Sequence, residues 1–452
     1  MEIFQSIIQY ILNLGSNVFV PLVILILGLV VGMKLKKAFL AALTLGIAFT
    51  GMSMLIGFMS DAVGPATEAL AKSTGINLPA LDGGWTVAAS ITWSWSYAFV
   101  FFAVVLLVNF VMLALNWTKT LNVDMWNVWG KALTAYLVYF VTGQLWAGFV
   151  VAVVQVVLEL KMGDMFQKHI EDLTGIPLVT VTHFMNIAVV LMMPVNWLMD
   201  KIPFFNKKAD TVALKNKIGI FSENSVMGFI IGLLLGLAGA YGVSGSLSLA
   251  VKVATALALF PMISKLFMQA LSPLADAMSE FMKGKFKDRE VFIGLDWPVL
   301  AGRSEVWVTA IILVPIILLW SLVLPGNVVL PIAGIINYSI AVGGLLLTGG
   351  NLYRMIVLGI IYTPLYLYGA TYLAPILTNL GKQTGAVDFK GASMITWSSI
   401  EGPEFRILFA EAFNTNFLAI VGVIIFIGLF YWTYKIMINE KVPSQRYVEE
   451  GK

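Results

Sequence analysis

Apolar residues run along this chain in stretches of about twenty, the length needed to cross a bilayer core. Uninterrupted runs cover 17–33, 38–60, 96–116, 178–199, 246–271, 306–325, 328–348, 354–376 and 417–437. A shorter, glycine-rich run covers 226–240 and lies just ahead of another apolar run. The stretch 132–160 is long for one span and carries Gly143 in its middle, so it reads as one long helix or as two halves. This pattern predicts an all-α polytopic membrane protein of about ten or eleven transmembrane helices.

Composition agrees. Of 452 residues, 59% are hydrophobic and 12% charged, with a mean hydropathy of +0.89. A soluble chain of this make-up would lack a water-compatible surface. With no cysteine, thiolate catalysis, disulfides and Cys-based metal sites are excluded. The two histidines, His169 and His183, stand at no metal-ligand spacing, so neither a metal nor any other cofactor is expected. The net charge of +3 is small and its Lys/Arg residues are clustered, which argues against a nucleic-acid partner. The N-terminal stretch has no basic n-region and no small-x-small cleavage site, so no cleavable signal peptide is expected.

Lys and Arg accumulate in cytoplasmic loops. Here they form clusters at Lys34, Lys36 and Lys37; at Lys201, Lys207, Lys208, Lys215 and Lys217; at Lys283, Lys285, Lys287 and Arg289; and at Lys435, Lys441 and Arg446. Placing all four inside puts the N-terminus outside and the C-terminus in the cytoplasm.

The halves resemble each other in order. Gly28–Gly32 answers Gly232–Gly236, Phe58-Met59 answers Phe267-Met268, and Pro65 answers Pro273. Leu81-Asp82 with Trp93 answers Leu295-Asp296 with Trp307, Thr142-Gly143 answers Thr348-Gly349, and Thr174-Gly175 answers Thr384-Gly385. An odd number of spans per half makes the second copy inverted, a common plan for secondary transporters. The division is 1–200 for the first membrane repeat, 201–217 for a basic cytoplasmic loop, 218–415 for the second repeat and 416–452 for a last helix and tail.

Two polar stretches interrupt the pattern at equivalent places, 75–93 and 292–307. They read as re-entrant hairpins (61–95 and 275–305), one from each face, because irregular backbone at membrane depth must be buried in protein or line a wet cavity; two ordinary surface loops are the alternative. Each holds a carboxylate, Asp82 or Asp296, which is costly at depth and suited to accepting hydroxyl hydrogen bonds. Gly83 and Gly84 would let backbone N–H groups approach a ligand. Trp85 and Trp93 offer flat faces to a sugar or anchor the chain at the interface. His183 is a binding or a packing residue, and Glu223 a binding residue or a helix-start acid. The polar island 391–406, with Glu401, Glu404 and Arg406, reads as a gate or, by preference, a salt-bridged extracellular loop. There is no P-loop and no selectivity-filter sequence, so ATP hydrolysis and a filter-type channel are not encoded.

The runs GMKLKKAF (32–39), LNVDMWNVWG (121–130), FSENSVMGFIIGL (221–233), FIGLDWPVLAG (292–302) and LPGNVVLP (324–331), with His183, resemble the galactitol-type enzyme IIC of the bacterial phosphoenolpyruvate-dependent sugar phosphotransferase system. A more distant likeness is to the ascorbate-type enzyme IIC. The resemblance implies a homodimer with a scaffold domain and an elevator-like core. It implies substrate contacts at Asp82, Gly83, Gly84 and Trp85, near Thr134, and at His183, Asp296, Pro298 and Glu223. Phe184 stands where the ascorbate branch has glutamine, which counts against ascorbate. Glu223 lies between Ser222 and Asn224, where galactitol relatives place Gly and Pro. The substrate implied is galactitol or a related polyol, carried across the inner membrane. The partner implied is a separate phosphorylated enzyme IIB (with IIA upstream), because its donor cysteine is absent here. Asp296 would orient or deprotonate the attacking hydroxyl. An ion-coupled secondary transporter of the same fold and an uncoupled facilitator are the other functions weighed.

Overall fold

The computed structural model describes residues 10, 16–73, 78–124, 126–206, 224–285, 290–331, 333–334, 336–385, 387 and 393–446. Glu223 and most of the 201–217 loop lie outside them. Helices α1 (Ser16–Val30) and α2 (Leu35–Ser73) lead into strand β1 (Ala80–Asp82), then α3 (Gly84–Trp93) and α4 (Val100–Ala114). Strand β2 (Thr120–Asn122), helices α5 (Val128–Thr142) and α6 (Leu145–Thr174), strand β3 (Val179–Val181), a 3-10 turn (Phe184–Ala188) and α7 (Val189–Met199) complete the first half. The order then recurs. Helices α8 (Asn224–Ala238) and α9 (Gly242–Lys285) precede β4 (Phe292–Leu295), a 3-10 turn (Trp297–Leu300) and α10 (Ser304–Val323). Strand β5 (Val329–Leu330), α11 (Tyr338–Thr348), α12 (Leu352–Thr384), β6 (Met394–Thr396) and α13 (Pro403–Phe413) follow. Helix α14 (Phe417–Asn439) and the short α15 (Pro443–Arg446) close the chain. Among the described residues, five helices are long and apolar enough to cross a membrane, and five shorter apolar helices accompany them. The chain is an all-α polytopic membrane protein in which strands are brief.

The duplicated Thr-Gly pairs are helix ends. Gly143, Gly175, Gly349 and Gly385 cap α5, α6, α11 and α12 with φ of 68°, 70°, 67° and 63°, a left-handed conformation that glycine adopts without a Cβ penalty. Each preceding threonine turns its hydroxyl back to the carbonyl four residues earlier. The cap at Gly143 also divides 132–160 into two helices.

Among the described residues, six strands form two all-parallel sheets in which the halves exchange partners. In one, β1 lies between β5 and β6; in the other, β4 lies between β2 and β3. Leu81 pairs Ile395, and Leu295 pairs Val181. The same offset of 214 that links Leu81 to Leu295 in sequence links Val181 to Ile395 across the sheets. Gly294 admits both neighbours, since a Cβ there would meet the Thr182 Cγ2 at 2.5 Å and the Thr120 Cγ2 at 3.1 Å.

Two expectations change. The re-entrant segments cannot start at 61 and 275, because α2 and α9 continue to Ser73 and Lys285. Pro65 and Pro273 lie inside these helices, where a membrane helix tolerates the lost hydrogen bond. At 1.5 Å per residue the helices are ~58 and ~66 Å long, beyond a hydrocarbon core of ~30 Å. Among the described residues, the backbone outside these helices covers 78–83 and 290–303. The run 178–199 is likewise not one helix. Its β-branched start forms β3, and regular helix begins only at Val189.

Helices α2 and α9 run antiparallel. Phe49 meets Phe267, Gly51 meets Ile263, and Gly239, just ahead of α9, meets Ala66. The start of α2, with Lys34, Lys36 and Lys37, therefore lies at the end of α9 that carries Lys283 and Lys285. Glu290 and Val442 line one cavity, and Asp200, Asn206, Glu440 and Arg446 line another. The described parts of all four basic clusters thus gather at one end of the bundle.

Helices α8 and α9 pack backbone to backbone. A Cβ on Gly228, Gly232 or Gly236 would lie 2.8, 2.8 and 2.6 Å from the Cα atoms of Ala254, Ala250 and Ser246. Small residues on one face permit such contact in a membrane, where dispersion holds helices together. Gly232→Leu should therefore lower stability by about 1–3 kcal/mol through overpacking. Gly57→Leu, at a position with nothing within 4 Å, should leave it unchanged. Thermal unfolding of the two variants in detergent measures the difference.

Candidate functional site

Asp82 and Asp296 occupy equivalent places at the ends of the two central strands, yet their surroundings differ. The Asp82 carboxylate is filled. Its Oδ1 accepts from the N–H groups of Gly84 (3.2 Å) and Ser398 (3.0 Å). Its Oδ2 accepts from the Gly334 N–H (2.8 Å) and the Ser398 hydroxyl (2.5 Å). Gly83 donates its N–H to the Thr396 carbonyl at 2.9 Å. The N–H groups of Gly83 and Gly84, expected to face a ligand, are thus committed within the chain. Gly84, at φ +68°, turns the chain into α3.

Asp296 has spare capacity. Its Oδ1 caps the 3-10 turn by accepting from the Trp297 N–H at 2.7 Å, and Pro298 supplies the fixed φ of the first turn. The same oxygen lies 3.5 Å from His183 Nε2. Glu401 Oε1 lies 3.6 Å from that nitrogen on the loop after β6. His183 Nδ1 accepts from the Met185 N–H at 3.3 Å, so in the neutral ring the proton sits on Nε2, facing both carboxylates. The carboxyl side chains are 15% and 13% exposed, enough to touch a small bound molecule, while the imidazole is buried. Trp297 stacks on Tyr338 beside them, ring centres 5.0 Å apart.

A buried charge network supports this group from one side. The Asn127 amide donates to Asp124 Oδ2 at 2.8 Å and also faces Asp296. Lys131 pairs with Glu159 at 2.7 Å, with both side chains shut from solvent, and its ammonium donates to the Asn127 carbonyl. Gln155 donates to Glu159 and takes the Thr134 hydroxyl. Arg406 donates to the carbonyls of Glu401 (2.8 Å) and Gly130 (2.9 Å) and to Thr134 Oγ1, and its guanidinium carbon lies 5.1 Å from the Phe184 ring centre. Tyr362 donates to Glu404 at 2.7 Å.

The structure therefore brings His183 and Asp296 together, with Pro298 next to the latter. It makes Asp82 and Thr134 fully engaged, buried struts. Trp85 is half exposed and starts a row of rings, 6.3 Å from Trp129, which is 5.6 Å from Trp397. Glu223 lies outside the described residues. The island 391–406 is not a surface loop: its described part holds buried Trp397, Ile400, Glu404 and Arg406, and Glu401 reaches the site. The sequence signal was Glu401-Gly402-Pro403-Glu404. Gly402, at φ +56°, lets the backbone close on Phe184 (a Cβ would lie 2.5 Å from its ring), and Pro403 opens α13.

Two polar cavities, of about 170 Å³ beside Arg354 and about 820 Å³ beside Lys119 and His169, lie at the basic end; neither is lined by Asp296, His183 or Glu401.

Residues 10–390 match the family described as EIIC-GAT, PTS system sugar-specific permease component. The chain belongs to this permease family. It is 32% identical over 442 residues to the "PTS system galactitol-specific EIIC component" of Escherichia coli (strain K12), covering 94% of this chain and 96% of the relative. The protein of that name from Escherichia coli O157:H7 matches equally. A "Putative permease IIC component" of Escherichia coli (strain K12) is 31% identical over 425 residues, 93% of this chain and 96% of that one. The site of this permease component thus lies in a multi-pass membrane protein that carries sugar for the phosphotransferase system.

Breaking the Lys131–Glu159 pair should be severe, because it strands a buried carboxylate. Lys131→Met is expected to cost roughly 3–5 kcal/mol, and Lys131→Met with Glu159→Met to recover most of it. Unfolding midpoints of the two single variants and the double variant complete the cycle.

Proposed function

We propose that this permease component binds galactitol or a related polyol and presents it, at the cytoplasmic side of the inner membrane, to a phosphocysteine on a separate enzyme IIB. The observation that carries the reading is His183 Nε2 facing Asp296 and Glu401 together. A polyol is a row of hydroxyls, each both donor and acceptor. Two carboxylates accept from such hydroxyls and an imidazole N–H donates to them. The printed substrate of the E. coli relatives agrees.

In this reading Asp296 takes the hydroxyl proton as the oxygen attacks phosphorus, the sulfur–phosphorus bond breaks, and the cysteine leaves as thiolate. Catalysis is mainly placement of the hydroxyl in line with that bond. The gathering of basic clusters at one end supports a cytoplasmic C-terminus and an N-terminus outside. The antiparallel course of α2 and α9, equivalent helices in the two halves, supports an inverted repeat. The repeats are assigned to 1–200 and 218–415, and the assembly to a homodimer whose strand-bearing core moves against a scaffold.

Labelled galactitol should enter proteoliposomes and appear as galactitol phosphate only when phosphorylated IIB is on the cytoplasmic side. Entry of unmodified polyol along an ion gradient without IIB would overturn the reading in favour of a coupled secondary transporter. Asp296→Asn should lower phosphorylation by roughly 10²- to 10⁴-fold with polyol binding nearly retained; full phosphorylation by that variant would remove the role given to Asp296.

A further inference from the structure

The segment Trp397–Gly402 joins the two strand ends. Its upstream part is clamped by Asp82, which takes both the N–H and the hydroxyl of Ser398. Its downstream part is fixed by Arg406 on the Glu401 carbonyl and by Gly402 against Phe184. Trp397 Nε1 donates to Ser399 Oγ at 2.9 Å within it. The side chain so presented is Glu401. Among the described residues no hydrogen bond reaches its carboxylate, and His183, buried to 6% exposure, turns toward it an Nε2–H that makes no hydrogen bond either. Mostly buried polar groups are normally satisfied. Two left open to each other across 3.6 Å mark a place for the hydroxyl of a bound molecule.

We infer that Glu401 is a substrate-binding carboxylate, accepting a hydroxyl of the polyol that Asp296 also holds. Asp82 is then a positioning residue, which sets Glu401 through Ser398 without touching substrate. The inference rests on the polyol reading of the site and adds two roles to it. It reverses the expectation for the first hairpin, whose aspartate would itself have met the ligand. The duplicated aspartates have diverged: one holds the loop that the other faces.

The test is equilibrium binding of labelled galactitol to the purified full chain in nanodiscs, with 1-, 2- and 3-deoxygalactitol, each as its two separate enantiomers, as competitors. These six analogues remove in turn each of the six hydroxyls, which a chiral site distinguishes although the polyol is meso. Glu401→Gln should weaken galactitol by about 10- to 100-fold, the range for a hydrogen bond to a charged group. For one deoxy analogue the same substitution should change affinity by less than about threefold, because the hydroxyl that Glu401 accepts is missing. Unchanged galactitol binding, or equal weakening for all seven ligands, would overturn the contact. Ser398→Ala and Asp82→Asn should weaken galactitol about tenfold on their own. Added to Glu401→Gln they should change it by less than about threefold, as positioning through that residue requires. Equal losses in both backgrounds would reduce Asp82 to a stabilising strut. Ser398→Ala removes only one of the four bonds to Asp82, and so keeps the question open to measurement if Asp82→Asn does not fold. If the wild-type chain binds none of these polyols, the polyol reading falls and this inference with it. If the wild-type chain binds galactitol and Asp296→Asn loses its phosphorylation, while Glu401→Gln binds galactitol as the wild type does, the reading stands and the inference fails.

Discussion

Backbone that leaves the helix at membrane depth must find partners for its N–H and C=O groups inside the protein, since lipid offers none. This chain breaks its helices near Ala80, Thr120, Val179, Phe292, Val329 and Met394. Among the described residues, the broken pieces pair across the two halves of the chain, through two sheets that each take a central strand from one half and its flanks from the other. Everything at the site hangs from that exchange. The strand ends deliver Asp82, Asp296 and His183, and the loop after β6 delivers Glu401. No helix end alone would hold so many polar groups in register.

Within this symmetric frame the chemistry is unsymmetric. Among the described residues the Asp82 carboxylate accepts four hydrogen bonds, while Asp296 accepts one from the Trp297 N–H and faces the Asn127 amide. A carboxylate whose lone pairs are filled by N–H and O–H donors of the chain is a structural tie; one with spare acceptor sites beside an imidazole N–H can accept further hydroxyl hydrogen bonds. The Lys131–Glu159 pair and Arg406 add charge close by; Lys131 and Glu159 neutralise each other, and Arg406 spends its Nε and Nη1 donors on neighbours. Arg406 in particular links α5 to α13 and bonds the loop that bears Glu401.

Much of the frame was legible in the sequence. The apolar runs announced the membrane. Paired Thr-Gly and Leu-Asp steps marked matching helix caps and strand ends, because such positions constrain residue type locally. Glycine at φ near +70° is such a constraint, readable without knowing what lies across from it. The roles of the two aspartates were not readable in this way. Three of the four hydrogen bonds that fill Asp82 come from residues 252 and 316 positions further along the chain, Gly334 and Ser398. Strands of two to four residues also escape periodicity, which needs longer runs. The segment around Glu401 looked like a loop because its polarity is satisfied by distant partners such as Gly130 and Thr134, invisible from the segment itself. The reach of α2 and α9 past 61 and 275 escaped because a proline reads as a break in water and is tolerated in a membrane.

The exchanged sheets also set a schedule for biogenesis. Strands β2 and β3 wait for β4, and β1 waits for β5 and β6. The distance from Thr120 to Phe292 is 172 residues, so at ~5–20 residues per second the ribosome needs on the order of ten to thirty seconds to supply the missing neighbour. During that interval the first half sits in or beside the insertion machinery with unpaired peptide groups at three places. A chain truncated after α7 would keep its apolar helices and never close those gaps, which makes the nascent first half a natural client for membrane chaperones and quality-control proteases.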